Sequence, residues 1–393
     1  MIHWEISCQG VKIVNCFTVT EITLKVVQFL PALKPGVTAT VALEFANELN
    51  RRGHESLVIS AGGPLEARLR LHGSEHIEFP MARESVWSLR HVPRLRGLLK
   101  DLQPDIVHTH GRLPAFLAWR ALRREPATHR PKLVPLVDQY FSRSYFNKGL
   151  AQGDGVIATS CGVAKQLKES LSSYHEKSID IIYRGVNIRE FDSEKPVASQ
   201  WQLKLLNSYP QLEGKSWWLL PGEISSSGGQ EAFLHMLAKA AEHRDDIHGV
   251  IVGEVAVNNL RYLQKLESMA QTLNLGGRVT FLGKRGDMRE LYATSQLVFH
   301  LSGELDASGK FAREALVMGR PVIAYPDGCA GEILQQCFPE GLVGRGDINA
   351  LVESSLSLMD KPGTASFFDL SYSAAAAKAI DFFQKILDNK RPD

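Results

Sequence analysis

The sequence predicts an α/β fold in which two doubly wound parallel-sheet domains face each other across a cleft. Three observations predict it. The chain has 393 residues, more than one hydrophobic core ordinarily serves, so two domains of about 180 residues each are expected. Short β-branched or apolar runs alternate with helix-period stretches through both halves, the pattern of parallel strands joined by crossover helices. Between the halves, residues 186–212, with "NIREFDSEKPVAS", lose that periodicity and read as the interdomain linker. The expected division is 1–190, 191–370 and a terminal helix within 371–393 that packs back on the amino-terminal domain.

In the first half, "LKVVQFL" is a strand and "TATVALEFANELNRRGH" a helix stopped at Gly53. "SLVIS", "PDIVHTH", "KLVPLV", "GVIATS" and "SIDIIYRGV" are too short and too β-branched for helices and read as further strands. Helices are expected over 88–100, 112–124 and 162–174. The second half repeats the theme. "WWLLPG", "GVIVG", "RVTFLG", "LVFHLS" and "PVIAY" are its buried strands, with helices over 229–243, 257–274, 287–293 and 310–318. "SYSAAAAKAIDFFQKILDNK" combines strong helix propensity with an apolar face of Ile380, Phe383 and Ile386. Residues 1–20 are poorly patterned.

Hydrophobic content of 44% and charged content of 22% mark a globular chain, not a disordered one. The five cysteines form no CxxC or CxxH pair, which argues for a reducing compartment without a disulfide framework or a structural zinc. No run is long and apolar enough to span a bilayer, and the first residues lack a signal-peptide pattern. A cytoplasmic protein is expected. Charge is uneven: residues 1–190 carry +7 and the remainder −5, and Arg83 to Lys132 holds eleven bases against four acids. That region is either a solvated helix face or a surface for a phosphorylated acceptor or for anionic lipid head groups at the inner face of the plasma membrane. Nucleic acid is not an expected partner, because few aromatics interleave with these charges and the pI is only about 8.2.

Two open α/β domains side by side place a ligand in the cleft at the carboxyl ends of their strands. The chain has no GxGxxG after its first strand, no GxxxxGK[ST], no HExxH and no GxSxG. His108 and His110 point to one face of a strand end and read as cleft-lining polar residues, since no carboxylate or cysteine cluster accompanies them. Residues 219–230, "LLPGEISSSGGQ", run from a strand through a Gly- and Ser-rich turn into a helix, the geometry that grips a phosphate. Yet this loop holds an acid, Glu223, and no Lys or Arg.

The most informative segment is "RVTFLGKRGDMRELYATSQLVFHLSGELDASGKFAREALVMGRPVIAYPDGCAGEIL". With "ANELNRRGHESLVISAGGPL", "PDIVHTHGRLPA", "GDGVIATSCGVAKQL" and "IIYRGVNIREFD", it closely resembles the retaining, nucleotide-sugar-dependent glycosyltransferases of group 1. The resemblance covers about residues 24–360 and is greatest to members that build the lipopolysaccharide core. It implies the GT-B fold of two Rossmann-like domains. It also implies transfer of a UDP-, GDP- or ADP-linked sugar to a glycolipid or glycan acceptor, with no cofactor and no metal.

The resemblance further implies site residues. The family pattern of two glutamates with seven residues between them falls on Asp306, toward the donor sugar, and Glu314, toward the ribose. Gly309 allows close backbone approach to the donor. Where the family has Gly-Arg and then Lys-Gly to neutralise the leaving diphosphate, this chain has Gly222, Glu223, Ser227, Gly228 and Gly229. Loss of one such charge-assisted contact lowers the rate about 10²–10³-fold. Lys310 or Arg184, in "YRGVN", is then expected to supply charge. On the acceptor side Gly36, His110, Arg112 and Asp138 occupy the family's positions, Gly36 without its second glycine and Asp138 in place of a histidine. Two readings follow: a transferase with an altered donor grip, or a GT-B scaffold that has lost catalysis and acts as a partner in glycan assembly.

Overall fold

The computed structural model describes residues 7–8, 11–12, 23–81, 86–126, 130–142, 144–171, 178–256, 259–303, 306–363, 366 and 368–388. Most of the poorly patterned amino terminus, and Arg83, lie outside them. A two-stranded antiparallel pair, β1 (Ser7–Cys8) and β2 (Val11–Lys12), precedes the first domain. That domain runs β3 (Lys25–Phe29), α1 (Val37–Arg51), β4 (Glu55–Ser60), α2 (Glu66–Leu71), β5 (Glu75–Glu78), α3 (Val92–Leu102) and β6 (Ile106–His110). It continues through α4 (Arg112–Leu122), β7 (Lys132–Val137), α5 (Asn147–Ala151), β8 (Gly155–Ala158), α6 (Cys161–Ser170) and β9 (Ser178–Ile181). Its seven strands are all parallel, in the order β5-β4-β3-β6-β7-β8-β9.

The second domain begins with α7 (Ser199–Ser208), which lies inside the stretch that reads as linker. Its sequence is mostly polar, and only Leu205 is fully buried, so no apolar period announces it. The helix is fixed from outside: Trp201 Nε1 donates to Asp287 Oδ2 at 2.6 Å. The chain then forms β10 (Ser216–Pro221), α8 (Gln230–Ala240), β11 (Ile247–Val252), α9 (Leu260–Thr272), β12 (Val279–Gly283), α10 (Met288–Thr294) and β13 (Leu297–His300). After these come α11 (Lys310–Val317), β14 (Val322–Ala324), α12 (Gly328–Cys337), α13 (Ile348–Asp360) and α14 (Tyr372–Asp388). This sheet is also parallel, in the order β12-β11-β10-β13-β14.

Both sheets are doubly wound because helices cover both faces, and the strands are correspondingly buried along their length; every residue of β6 and of β13 is buried. Strand order reverses between β3 and β6 in one sheet and between β10 and β13 in the other. Ligands of open α/β sheets bind at the carboxyl ends of the strands flanking such a reversal. The two places to look are thus fixed by topology.

Helix α14 leaves the second domain beside a Val186–Ser371 bridge and packs on the first. Its buried Ala376, Ala379, Ile380, Phe383 and Ile386 join a core with Val26, Leu49, Ile106 and Val134. The domains also meet directly. Glu332 of α12 accepts the N–H groups of Cys161 (2.7 Å) and Gly162 (3.0 Å) at the start of α6. Arg313, from α11, donates to the Arg184 and Gly185 carbonyls.

Candidate functional site

Strand β10 ends at Pro221 and passes into the loop at 222–229. Gly229 sits at φ 82, and a Cβ there would lie 2.3 Å from the Leu301 carbonyl oxygen, so only glycine fits. The loop is internally tied: Gly228 N–H donates to Ser225 O at 2.9 Å, and the buried Gln230 side chain donates to Glu223 O at 2.9 Å. The Glu223 carboxylate is exposed and makes no ion pair among the described residues. Ser225 and Ser227 hydroxyls lie 3.2 Å apart on the same turn.

Strand β13 supplies the opposite wall. Gly303 N–H donates to Ser227 O at 2.9 Å and joins the two loops. Between them lies a pocket of about 640 Å³, lined by Gly222, Glu223, Ser225, Ser227, Gly228, His300, Ser302, Asp306, Ser308, Lys310 and Arg345 among others. It sits at the β10/β13 reversal. Helices α8 and α11 both begin at its wall, so two positive helix ends meet there. Such a cleft suits a doubly charged anion.

Asp306 lines this pocket, but its oxygens are engaged. Oδ2 lies 2.6 Å from His300 Nε2 and accepts Gly309 N–H at 3.0 Å; Oδ1 accepts Ser308 N–H and Oγ–H, both at 3.0 Å. A carboxylate only accepts, so His300 carries its proton on Nε2. Burial pushes the Asp306 pKa up, yet the His300 contact and the bonds from Ser308 outweigh it and hold the group well below the ordinary range. The residue expected to meet the sugar thus shapes the turn that starts α11. Gly309 itself sits at φ 54, with Ala330 N 3.1 Å from where a Cβ would stand.

Glu314 lies on α11 behind the pocket, not on its surface. It is buried, accepts the Tyr292 hydroxyl at 3.0 Å and lies 3.8 Å from Lys310 Nζ; burial raises its pKa. Gly229 and Gly309 also stand behind the lining, where they permit close packing of the loops. Arg184 departs from expectation. Its guanidinium pairs with Asp138 Oδ2 at 2.5 Å, is nearly buried, and is not among the residues lining this pocket. The reason is the Asp at 138, which captures the arginine within the first domain.

On that domain's side, Arg112 and Asp138 line one pocket of about 270 Å³, with Gly111 and Tyr140. Gly36 caps the amino end of α1 at the carboxyl end of β3. His110, expected on the acceptor wall, is buried instead, with Nε2 2.9 Å from Gln28 Oε1. Burial pushes its pKa far down and that of neighbouring His108 to about 4. Both lie on the central strand β6, where His108 packs edge-on against Phe45 of α1, Phe383 of α14 and the His110 ring.

The pocket residues not marked in the sequence include His300, Ser302, Ser308 and Arg345. His300 was detectable as the polar last residue of an apolar strand. Arg345 follows Gly344 in a coil, where nothing in the local pattern marks it.

The model for "Glycosyltransferase Family 4" matches residues 38–190, and that for "Glycosyl transferases group 1" matches residues 208–371. The N-acetyl-alpha-D-glucosaminyl L-malate synthase of Bacillus anthracis is 22% identical over 346 residues, covering 82% of this chain and 84% of its own. Among solved structures, a glycosyltransferase from Rickettsia africae superimposes with a TM-score of 0.75 at 21% identity, covering 93% of this chain and 100% of its own. HepE of Anabaena in complex with UDP gives 0.66 at 19% identity, covering 93% and 98%. The lipopolysaccharide outer core galactosyltransferase WaaB gives 0.66 at 14% identity, covering 94% and 100%.

Proposed function

The chain belongs to the group 1 glycosyltransferases of GT-B fold, and we propose that it moves a sugar from a nucleotide-sugar to a lipid-linked or polysaccharide acceptor, with retention at the anomeric carbon. One observation carries the reading: the starts of two helices and a Gly–Ser loop converge on a single pocket at the reversal of strand order. As the nucleoside diphosphate leaves, negative charge grows on its oxygens. Amides of α8 and α11, fixed before the reaction, stabilise that charge without reorganising. The base and ribose lie toward Glu314, and the acceptor enters from the Arg112–Asp138 pocket. UDP is the donor nucleotide of first choice, since HepE binds it in the same fold. No metal or cofactor is part of the proposal.

A second reading is favoured by the loop itself. Glu223 stands exposed at the mouth of the pocket, and position 228 has no room for a side chain. Under that reading the chain is a scaffold in glycan assembly. Calorimetric titration with UDP, GDP and ADP separates the two. The transferase binds one of them, and Glu314→Ala weakens that binding while Tyr292→Phe keeps most of it. A Glu314→Ala protein with unchanged affinity would remove the ribose role.

A further inference from the structure

The donor pocket holds a cation that the loop at 222–229 does not. Arg345 lines the pocket, outside Glu223's loop. Its backbone is anchored where Val343 N–H donates to Ala324 O at 3.0 Å, at the end of β14. The side chain is held on three sides. Its guanidinium carbon lies 4.4 Å over the ring of Tyr325, Nε donates to Asp327 Oδ2 at 2.9 Å, and an Nη donates to Ser302 O at 3.3 Å. Ser302 precedes Gly303, whose N–H is bonded to Ser227, so the guanidinium is one residue removed from the Gly–Ser turn.

A guanidinium has five N–H donors, and these contacts use two of them. The ion pair with Asp327 is more than a third exposed, a setting in which such pairs contribute little, so the positive charge is available to be shared. The other pocket cation, Lys310, already faces Glu314 at 3.8 Å, with just over half of its side chain exposed. A planar, stacked guanidinium suits bidentate grip of a phosphate better than a flexible ammonium does.

We propose that Arg345 receives the diphosphate of the donor in this chain, so that the neutralising charge comes from the segment after β14 instead of the loop after β10. This rests on the transferase reading. The charge reversal at Glu223 is then a relocation of the grip, with Asp327 and Tyr325 as the residues that position it.

Calorimetry with a nucleoside diphosphate and the matching nucleoside tests this on the full chain. Arg345→Met keeps an unbranched stem on the Tyr325 ring and removes the charge; its melting temperature without nucleotide reports that it folds. Wild type should prefer the diphosphate over the nucleoside. Arg345→Met should lose on the order of 10- to 100-fold in diphosphate affinity and little in nucleoside affinity, and Arg345→Lys should recover part. If Arg345→Met keeps the full preference, or if Lys310→Met alone abolishes it, the role of Arg345 is overturned and the transferase reading stands. If wild type binds neither ligand, both fall.

Discussion

A side chain at position 228 has no room in the observed loop: its Cβ would lie 2.6 Å from Glu223 O and 2.4 Å from Gln230 Nε2. Restoring the family's lysine there therefore strains the turn before it can reach a phosphate. Gly228→Lys is expected to lower stability by about 1–3 kcal/mol and to leave nucleotide affinity no better, whereas Glu223→Arg, on an exposed position, should raise affinity. Thermal melting and titration of the two variants check this. A Gly228→Lys protein that melts like wild type and binds more tightly would contradict the packing argument. The same scale shows why site residues were unevenly legible. Gly222, Glu223 and Gly228 could be located because strand, turn and helix are consecutive in sequence. Arg345 could not, because only the parallel pairing of β13 with β14 brings its coil beside Ser302. Arg184 could be located in the sequence, but its pairing could not, since that depends on Asp138, 46 residues away.

At the level of elements, short apolar strands alternating with amphipathic helices declared themselves wherever both faces of a strand are buried. Two of the elements that escaped are held by neighbours. β5, with the sequence EHIE, is a charged edge strand paired only to β4. α7 is polar and pinned by Trp201. Helix α14 is the reverse case, since its apolar stripe is complete in the sequence. Phe383 is fully buried and meets Phe45 edge-on at 6.0 Å and His108 at 5.3 Å. Phe383→Ala should destabilise the protein by about 3–5 kcal/mol, read from urea unfolding. A loss below 1 kcal/mol would show that α14 contributes little to the first domain's core.

For the whole molecule, the charge asymmetry of the sequence acquires a location. α3 packs on α4 and α4 on α5. Arg120 and Arg123 lie over Trp119, Lys148 lies over the half-exposed Tyr145, and Trp87, in the turn before α3, is 74% exposed. Bases around exposed aromatic rings suit an anionic lipid surface, where rings enter the headgroup layer and cations meet phosphates. We propose that this face holds the protein at the membrane that presents its acceptor. Sedimentation with vesicles containing phosphatidylglycerol should carry the protein down at low salt, less so at 0.5 M salt, and far less after Trp87→Ala with Arg120→Ala. Equal binding to neutral vesicles would overturn the electrostatic part. Among the described residues no helix is long and apolar enough to cross a membrane.

The central claim is that the pocket between the Gly–Ser loop and the α11 turn is a working nucleotide-sugar site despite Glu223. Calorimetric titration of the wild-type chain with UDP, GDP and ADP addresses it most directly. The account predicts saturable, one-to-one binding of at least one of them, weakened by added salt because the grip is charged. Absence of heat and of any thermal shift with all three at millimolar concentration would contradict it and leave the scaffold reading.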